Sequence, residues 1–257
     1  MGIIEAVKKG FGLSIKQINL IVLFFIVNAV MGLVSMPFAN PENAGQPPVV
    51  AASLAISFVF FLIFVFLQGG ALGILKDVYK QGSGAFSNFV SYGKKFYMRI
   101  LGLFLLYIVI ALIVVLLLAL LGSGLLAIAD NAFMRGFVAA IAIVFMFLAI
   151  VELIFPIYII VCEDTGVISA LLKGLKMSWD NFWKVLGLFI VLAVIAIIIG
   201  LLVGLVTGLV TFPLPFTAGQ VVLTIVNSLV QSFIAIFMWV SFMGYYLGLK
   251  GSQTSQA

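Results

Sequence analysis

The longest uncharged segment of the chain lies between Lys184 and Lys250 and is 65 residues long. A soluble domain needs about 25% charged residues to cover its surface, whereas only 8% of these 257 residues are charged and 65% are hydrophobic. About 20 apolar residues in a helix cross the hydrocarbon core of a bilayer. The segment is therefore long enough for two spans. Pro213 and Pro215 predict the break between them, because proline lacks the N–H that continues a helix.

The other apolar intervals are long enough for one span each. Together they predict an all-α integral membrane protein with six transmembrane helices: Ile18–Met36, Val49–Leu75, Leu101–Leu121, Phe133–Val161, Trp183–Phe212 and Val221–Leu249. The first follows a basic N-terminus but is longer than the apolar core of a cleaved signal peptide, so we expect an uncleaved first span.

The distribution of lysine and arginine indicates how the spans are oriented. If the N-terminus is cytoplasmic, twelve of the 13 basic residues fall in inner segments and only Arg135 falls in an outer loop. Cytoplasmic segments carry such an excess, so we predict that both termini and Cys162 face the cytoplasm, that Glu42 is external, and that the protein lies in the plasma (inner) membrane. Because the basic residues do not gather on one polar face, no nucleic-acid partner is expected.

The chain has no histidine and a single cysteine, Cys162. Histidine is the commonest general base and metal ligand, and one cysteine makes neither an intramolecular disulfide nor a CxxC metal site. A nucleophilic serine would also need a base nearby. We therefore expect no catalytic residue, no metal and no cofactor, and we predict that the protein is not an enzyme.

The sequence contains an internal repeat. Gly2–Val27 aligns without a gap over Gly166–Val191, with nine identities in 26 positions at an offset of 164 residues. A weaker third copy relates Tyr97–Phe104 to Phe182–Phe189. Such self-similarity indicates duplication within one bundle. We predict a single six-span domain, 1–257, with a threefold hairpin repeat at 2–80, 81–165 and 166–257.

Each aligned segment begins with an amphipathic stretch, Gly2–Leu13 or Gly166–Met177. Helices with an apolar stripe and flanking lysines lie in the headgroup layer of a bilayer, and aromatic residues favour the same level. The residues expected at this interface are Trp179, Phe182, Trp183, Lys173 and Lys176. Ser14 and Ser178 precede spans one and five, and we predict that both are helix N-caps.

Two stretches carry a resemblance to a known family. They are Pro156–Ala170 (PIYIIVCEDTGVISA) and Leu175–Gly187 (LKMSWDNFWKVLG). A proline in span four, an acidic, glycine-containing loop and a Ser-x-x-x-x-Trp start to span five resemble the six-helix glycerophosphoryl diester phosphodiesterase membrane domain and related bacterial inner-membrane proteins. The resemblance implies a six-helix membrane fold. The phosphodiesterase activity of fused relatives belongs to a separate soluble domain and is not expected here.

Glu152 is the only charged residue within a predicted span. A charge at such depth costs about 2.5–3.5 kcal/mol on insertion scales, and Pro156 cannot donate to the carbonyl of Glu152. The polar partners that other spans offer are Asn28, Asn227, Gln231 and Gln68. Two interpretations stay open: a central site for a proton, cation or polar head group, or a protonated Glu152 that bonds an amide and fixes helix packing.

Glycine recurs at every fourth position of span five, at Gly200, Gly204 and Gly208. A smooth helix face suits close contact with another helix. We predict packing within the chain, with Gly69 and Gly73 of span two as the counterpart. An interface with a partner protein is the alternative.

The sequence favours a non-enzymatic integral membrane protein that packs with or scaffolds other membrane components. The alternative is a small transporter or lipid-handling protein that uses the carboxyl group of Glu152. The expected partners are the lipid bilayer and either other membrane proteins or further copies of this chain.

Overall fold

The computed structural model describes residues 1–38, 46–129 and 131–254. These residues form nine α-helices and two short 3₁₀ turns, without a β-strand. In chain order the helices are α1 (Ile3–Lys16), α2 (Ile18–Ser35), α3 (Pro47–Gln81), α4 (Phe89–Ile128), α5 (Ala132–Glu152), α6 (Pro156–Glu163), α7 (Val167–Asp180), α8 (Phe182–Thr211) and α9 (Phe216–Thr254). Glu42, predicted to be external, lies outside the described residues.

Six helical segments of the described chain are long and apolar enough to cross a membrane. Their bounds are Ile18–Phe38, Pro47–Gln81, Phe86–Ala127, Ala132–Glu163, Phe182–Thr211 and Phe216–Gly251. The predicted all-α membrane fold with six spans is therefore confirmed. Several helices are longer than predicted, because uncharged intervals mark the hydrocarbon core and not the helix ends. α4, for example, includes Lys94, Lys95 and Arg99 ahead of its apolar part.

The described chain divides into two compact units, Met1–Lys95 with Gly187–Ala257 and Phe96–Leu186. In the first unit α9 packs along α1 and α2, and α3 contacts both α2 and α9. In the second unit α7 packs against α6 and also contacts α5. The single domain 1–257 and its repeats stay predictions.

Aromatic residues hold α9 in the first unit. The ring of Phe24 is buried and meets Trp239 edge-on, with ring centroids 5.1 Å apart. The hydroxyl of Tyr79 donates to the carbonyl of Val240 at 2.8 Å, and the ammonium of Lys9 lies 5.2 Å from the centroid of the Tyr79 ring. Large rings of this kind contribute most of the buried apolar area in a core, and a buried Tyr hydroxyl needs its partner.

The ends of α1 and α7 are alike. Gly2 and Gly166 precede them in extended backbone, with ψ of 165° and 163°. Gln17 and Asn181, again 164 residues apart, separate them from α2 and α8. Each amphipathic segment is therefore a helix separate from the span that follows it, as predicted. Their common origin in a repeat, and an orientation parallel to the membrane, stay predictions.

The buried faces of α1 and α7 consist of small residues. They are Ala6, Gly10 and Ser14 in α1, and Ala170 and Gly174, beside Leu171, and Ser178 in α7. A Cβ on Gly10 would come within 3.0 Å of the Cα of Ser241 in α9, and one on Gly174 would come 2.5 Å from the Cγ of Pro156 in α6. The small faces thus let the helix backbones approach closely, as small residues do between membrane helices.

The predicted N-capping role of Ser14 and Ser178 is wrong. Both serines are buried near the C-terminal ends of α1 and α7. Ser14 Oγ donates to the carbonyl of Phe11 at 2.9 Å, and Ser178 Oγ donates to the carbonyl of Glu152 at 3.2 Å. The prediction failed because the chain turns three residues later, so these serines end one helix and do not begin the next.

Candidate functional site

The fourth span is broken about two thirds of the way along its length. α5 ends at Glu152, Leu153 leaves helical geometry with φ −89° and ψ 5°, and α6 begins at Pro156. Proline has no N–H to give to the residue four positions earlier, so the carbonyl of Glu152 loses its helical partner.

Side chains from α7 and α4 replace the missing backbone bonds. Ser178 Oγ donates to the carbonyl of Glu152 at 3.2 Å, and the hydroxyl of Tyr107 donates to the carbonyl of Leu153 at 2.8 Å. An unpaired carbonyl at membrane depth costs several kcal/mol, and nearby side chains are what make a broken helix tolerable there. Two hydroxyl groups therefore stabilise the break.

A cavity of about 840 Å³ lies beside the break. The side that α4 and α5 form consists of Val114, Phe145, Leu148, Ala149 and Glu152. The other side is the elbow between α7 and α8, with Trp179, Asp180, Asn181, Phe182, Trp183 and Lys184. We call the space lined by these eleven residues the Glu152 cavity. Mostly apolar walls with a few polar groups are typical of sites that bind small molecules.

The carboxyl group of Glu152 has an unsatisfied oxygen. Its Oε1 is buried and has no hydrogen-bond partner among the described residues. Burying a polar atom without a partner costs about 1–3 kcal/mol. A molecule that donates a hydrogen bond to this oxygen would remove that cost.

The rim of the cavity is aromatic and charged. The side chains of Trp179 and Trp183 are 75% and 80% exposed, and the ring of Trp183 meets Phe182 edge-on with centroids 5.4 Å apart. Asp180 and Lys184 stand beside these rings. Tryptophan is enriched where the apolar core of a bilayer meets water, so the rim has the composition of a headgroup-level surface.

Ion pairs fix the corner between α6 and α7. Arg99 of α4 pairs with Asp164, which ends α6 in the left-handed region with φ 58°. Lys173 Nζ lies 2.9 Å from Glu163 Oε2. Exposed pairs contribute about 0–1 kcal/mol each, so they orient α7 more than they stabilise it. Lys173 is thus ion-paired, and both Lys173 and Lys176 are exposed.

Comparison with known proteins yields one family. Residues 1–249 match a family described as Domain of unknown function (DUF7847). The chain belongs to the DUF7847 family. No curated protein and no solved structure matches it. The resemblance to the glycerophosphoryl diester phosphodiesterase membrane domain is therefore unconfirmed.

The amides predicted to accompany Glu152 all belong to the first unit of the DUF7847 chain, whereas Glu152 belongs to the second. Asn28 Nδ2 donates to Ser232 Oγ at 2.9 Å. Gln68 is buried, and its Oε1 has no partner among the described residues. Asn227 and Gln231 are exposed on α9.

Within its own unit, Glu152 meets the α7–α8 elbow, which the sequence analysis assigned only to the membrane interface. Trp179, Phe182 and Trp183 line the same cavity as Glu152. Asp180 and Lys184 of that cavity were not predicted as site residues at all. The signal that pointed to them was the matched Gly174 and Ser178 of the repeat, since small residues mark the face of α7 that packs on the break.

The packing within the chain that was predicted for the span-five glycines stays a prediction. A Cβ on Gly200, Gly204 or Gly208 would meet no atom of the described residues within 4 Å. Gly73 does pack within the DUF7847 chain, but its neighbour is Tyr92 at the start of α4. Gly69 is buried in α3. The spacing of the glycines identified helix faces without side chains, but it did not show which residue packs against each face.

Proposed function

We propose that this DUF7847 protein is a non-enzymatic, multi-pass protein of the plasma membrane that binds an amphiphilic molecule in the Glu152 cavity. The observation that carries the proposal is a buried carboxyl oxygen without a partner, in a cavity lined mainly by apolar and aromatic side chains. An amphiphile has a polar head group that can donate a hydrogen bond to Glu152 Oε1. It also has an apolar chain that can pack against the apolar wall of the cavity. The lipid-handling role is therefore the function that the geometry favours.

The composition of the cavity supports binding and not a reaction. Its ionisable side chains are Glu152, Asp180 and Lys184, and its lining contains no serine, cysteine or histidine. Covalent catalysis needs a nucleophile within hydrogen-bond reach of an activating base. A lining of this kind holds a molecule but offers no such pair.

The basic residues support an orientation with both termini in the cytoplasm. Lys173, Lys176 and Lys184 surround the α7–α8 elbow in sequence, and cytoplasmic segments carry such an excess of lysine. In that orientation the rim of the Glu152 cavity lies at the cytoplasmic leaflet, from which an amphiphile would enter.

The first prediction is that filling the cavity expels the amphiphile. Ala149→Trp places a large ring in the cavity wall, so native mass spectrometry of protein released from mild detergent should show lipid-sized adducts on the wild type. We expect adducts reduced about tenfold on the variant, the effect of roughly 1.4 kcal/mol.

The matched control is Val144→Trp, because Val144 lies on the same helix, is exposed and is not part of the cavity. It should retain the adducts of the wild type. Equal adducts on all three proteins would contradict the proposal.

A second candidate function is favoured by the glycines of α8. Gly200, Gly204 and Gly208 face open space among the described residues, and Leu201 and Leu205 beside them are exposed. Small residues on a membrane helix let a second helix approach closely. This face suits a scaffold that packs against another membrane protein or a second copy of the chain.

A further inference from the structure

We propose that the head group held in the Glu152 cavity is an ammonium with N–H donors, as in an aminophospholipid. This inference rests on the proposed function, since it names the chemistry of the amphiphile. Three observations carry it: the charges of the lining, the hydrogen-bond partners around the break, and the aromatic rim.

The charges of the cavity favour a cationic group. Its lining holds two carboxyl groups, on Glu152 and Asp180, and one ammonium, on Lys184. Charges attract and repel more strongly near apolar walls than in water. A purely anionic amphiphile would meet two carboxyl groups, whereas a zwitterionic one places its ammonium near Glu152 and leaves its phosphate for Lys184.

The hydrogen bonds at the break leave Glu152 Oε1 free to accept from a donor on the ligand. Ser178 and Tyr107 are the hydroxyl groups bonded there, and each has a single proton to give. Ser178 gives it to the carbonyl of Glu152, and Tyr107 gives it to the carbonyl of Leu153. Neither proton is left for Glu152 Oε1, which is buried without a partner among the described residues. A quaternary ammonium has no N–H and would not satisfy this oxygen.

The aromatic lining fits a cation but does not select its type. Four of the eleven lining residues are aromatic: Phe145, Trp179, Phe182 and Trp183. A cation within about 6 Å of a ring centroid is attracted to the face of the ring, and this holds for primary and quaternary ammonium groups alike. Discrimination between them therefore falls to Glu152.

The test is a competition among phospholipids that share acyl chains and differ in head group. Full-length protein is equilibrated in mixed micelles with phosphatidylethanolamine, phosphatidylcholine and phosphatidylglycerol in equal amounts, and the retained lipid is identified by native mass spectrometry. We expect phosphatidylethanolamine to be retained roughly tenfold over the other two, because a hydrogen bond to a charged group has about that effect on an equilibrium.

Each outcome of the competition supports or overturns a stated part of the proposal. Equal retention of phosphatidylethanolamine and phosphatidylcholine would overturn the need for N–H donors, and preferred retention of phosphatidylglycerol would overturn the cationic head group. The proposed function survives both results if Ala149→Trp still lowers retention. If no lipid is retained and Ala149→Trp has no effect, the proposed function fails as well.

Two variants test whether Glu152 provides the preference for phosphatidylethanolamine. Glu152→Gln keeps the shape but removes the charge, so it should reduce the preference for phosphatidylethanolamine over phosphatidylcholine by about tenfold. Glu5→Gln, which removes an exposed carboxyl group of α1 outside the cavity, should leave the preference unchanged. An unchanged preference in Glu152→Gln would overturn the assignment. If that variant does not fold, the wild-type competition decides alone.

Discussion

At the scale of single residues, the fourth span depends on two hydroxyl groups. Pro156 removes one backbone donor, and Ser178 and Tyr107 donate to the two carbonyls at the break. Side-chain bonds between membrane helices contribute about 0.6 kcal/mol on average, but a carbonyl left without any donor costs more. The break therefore persists through bonds that single substitutions can remove.

The prediction at this scale is that Ser178→Ala and Tyr107→Phe each destabilise the protein by about 1–3 kcal/mol. The reason is that each variant leaves one carbonyl of the break without a donor. Thermal unfolding in detergent should show lower midpoints for both.

Ser123→Ala is the control for these variants, because Ser123 donates to the carbonyl of Leu120 in its own helix and not to another helix among the described residues. Its midpoint should stay near that of the wild type. Midpoints of Ser178→Ala and Ser123→Ala that coincide would mean that Ser178 does not stabilise the break.

At the scale of helices, the same sequence pattern has two different uses. Small residues four apart occur in α1 and in α8. Gly10 of α1 packs against Ser241 of α9, whereas Gly200, Gly204 and Gly208 of α8 face open space among the described residues. The pattern identifies a smooth face, but the partner of that face depends on how distant segments meet, which spacing along one helix does not encode.

Substitution of these glycines by leucine should separate the two uses. Gly10→Leu should cost about 1–3 kcal/mol because the new side chain overlaps the backbone of α9. Gly12→Leu in the same helix, where a Cβ meets nothing within 4 Å, should have no such cost. Thermal unfolding measures both.

Gly204→Leu extends this prediction to α8. It should leave stability unchanged and abolish chemical crosslinks to a partner or a second copy. Loss of stability in Gly204→Leu with crosslinks intact would place the glycine face inside the chain after all.

At the scale of the whole molecule, the number of spans could be predicted from the sequence. Which helices pack against one another could not. Uncharged intervals and Pro213 with Pro215 located all six spans, and α8 and α9 end and begin on either side of those prolines. Composition suffices for this because the bilayer accepts only long apolar helices. The site was only half predictable: Glu152 was identified by its charge, but its partners come from an elbow that is distant in sequence and was assigned to the interface.

The remaining prediction concerns orientation. In a Cys162→Ser background, Ser83→Cys, in the exposed turn after α3, should react with a membrane-impermeant maleimide only after the cells are opened. Asn43→Cys, outside the described residues, should react in intact cells. These outcomes follow from the excess of lysine and arginine on one side. The reverse labelling pattern would invert the topology.

The small buried faces of α1 and α7 also govern how the protein would respond to the shape of its bilayer. A free amphipathic helix acts as a curvature sensor, because it folds and inserts only where lipid packing admits it. α1 is held instead by Ala6, Gly10 and Ser14 against α9, while Ile4 and Phe11 stay exposed. If α1 lies in the headgroup layer as predicted, this packing should keep its apolar side chains at one depth on flat and curved membranes alike. We therefore expect α1 and α7 to respond little to membrane curvature.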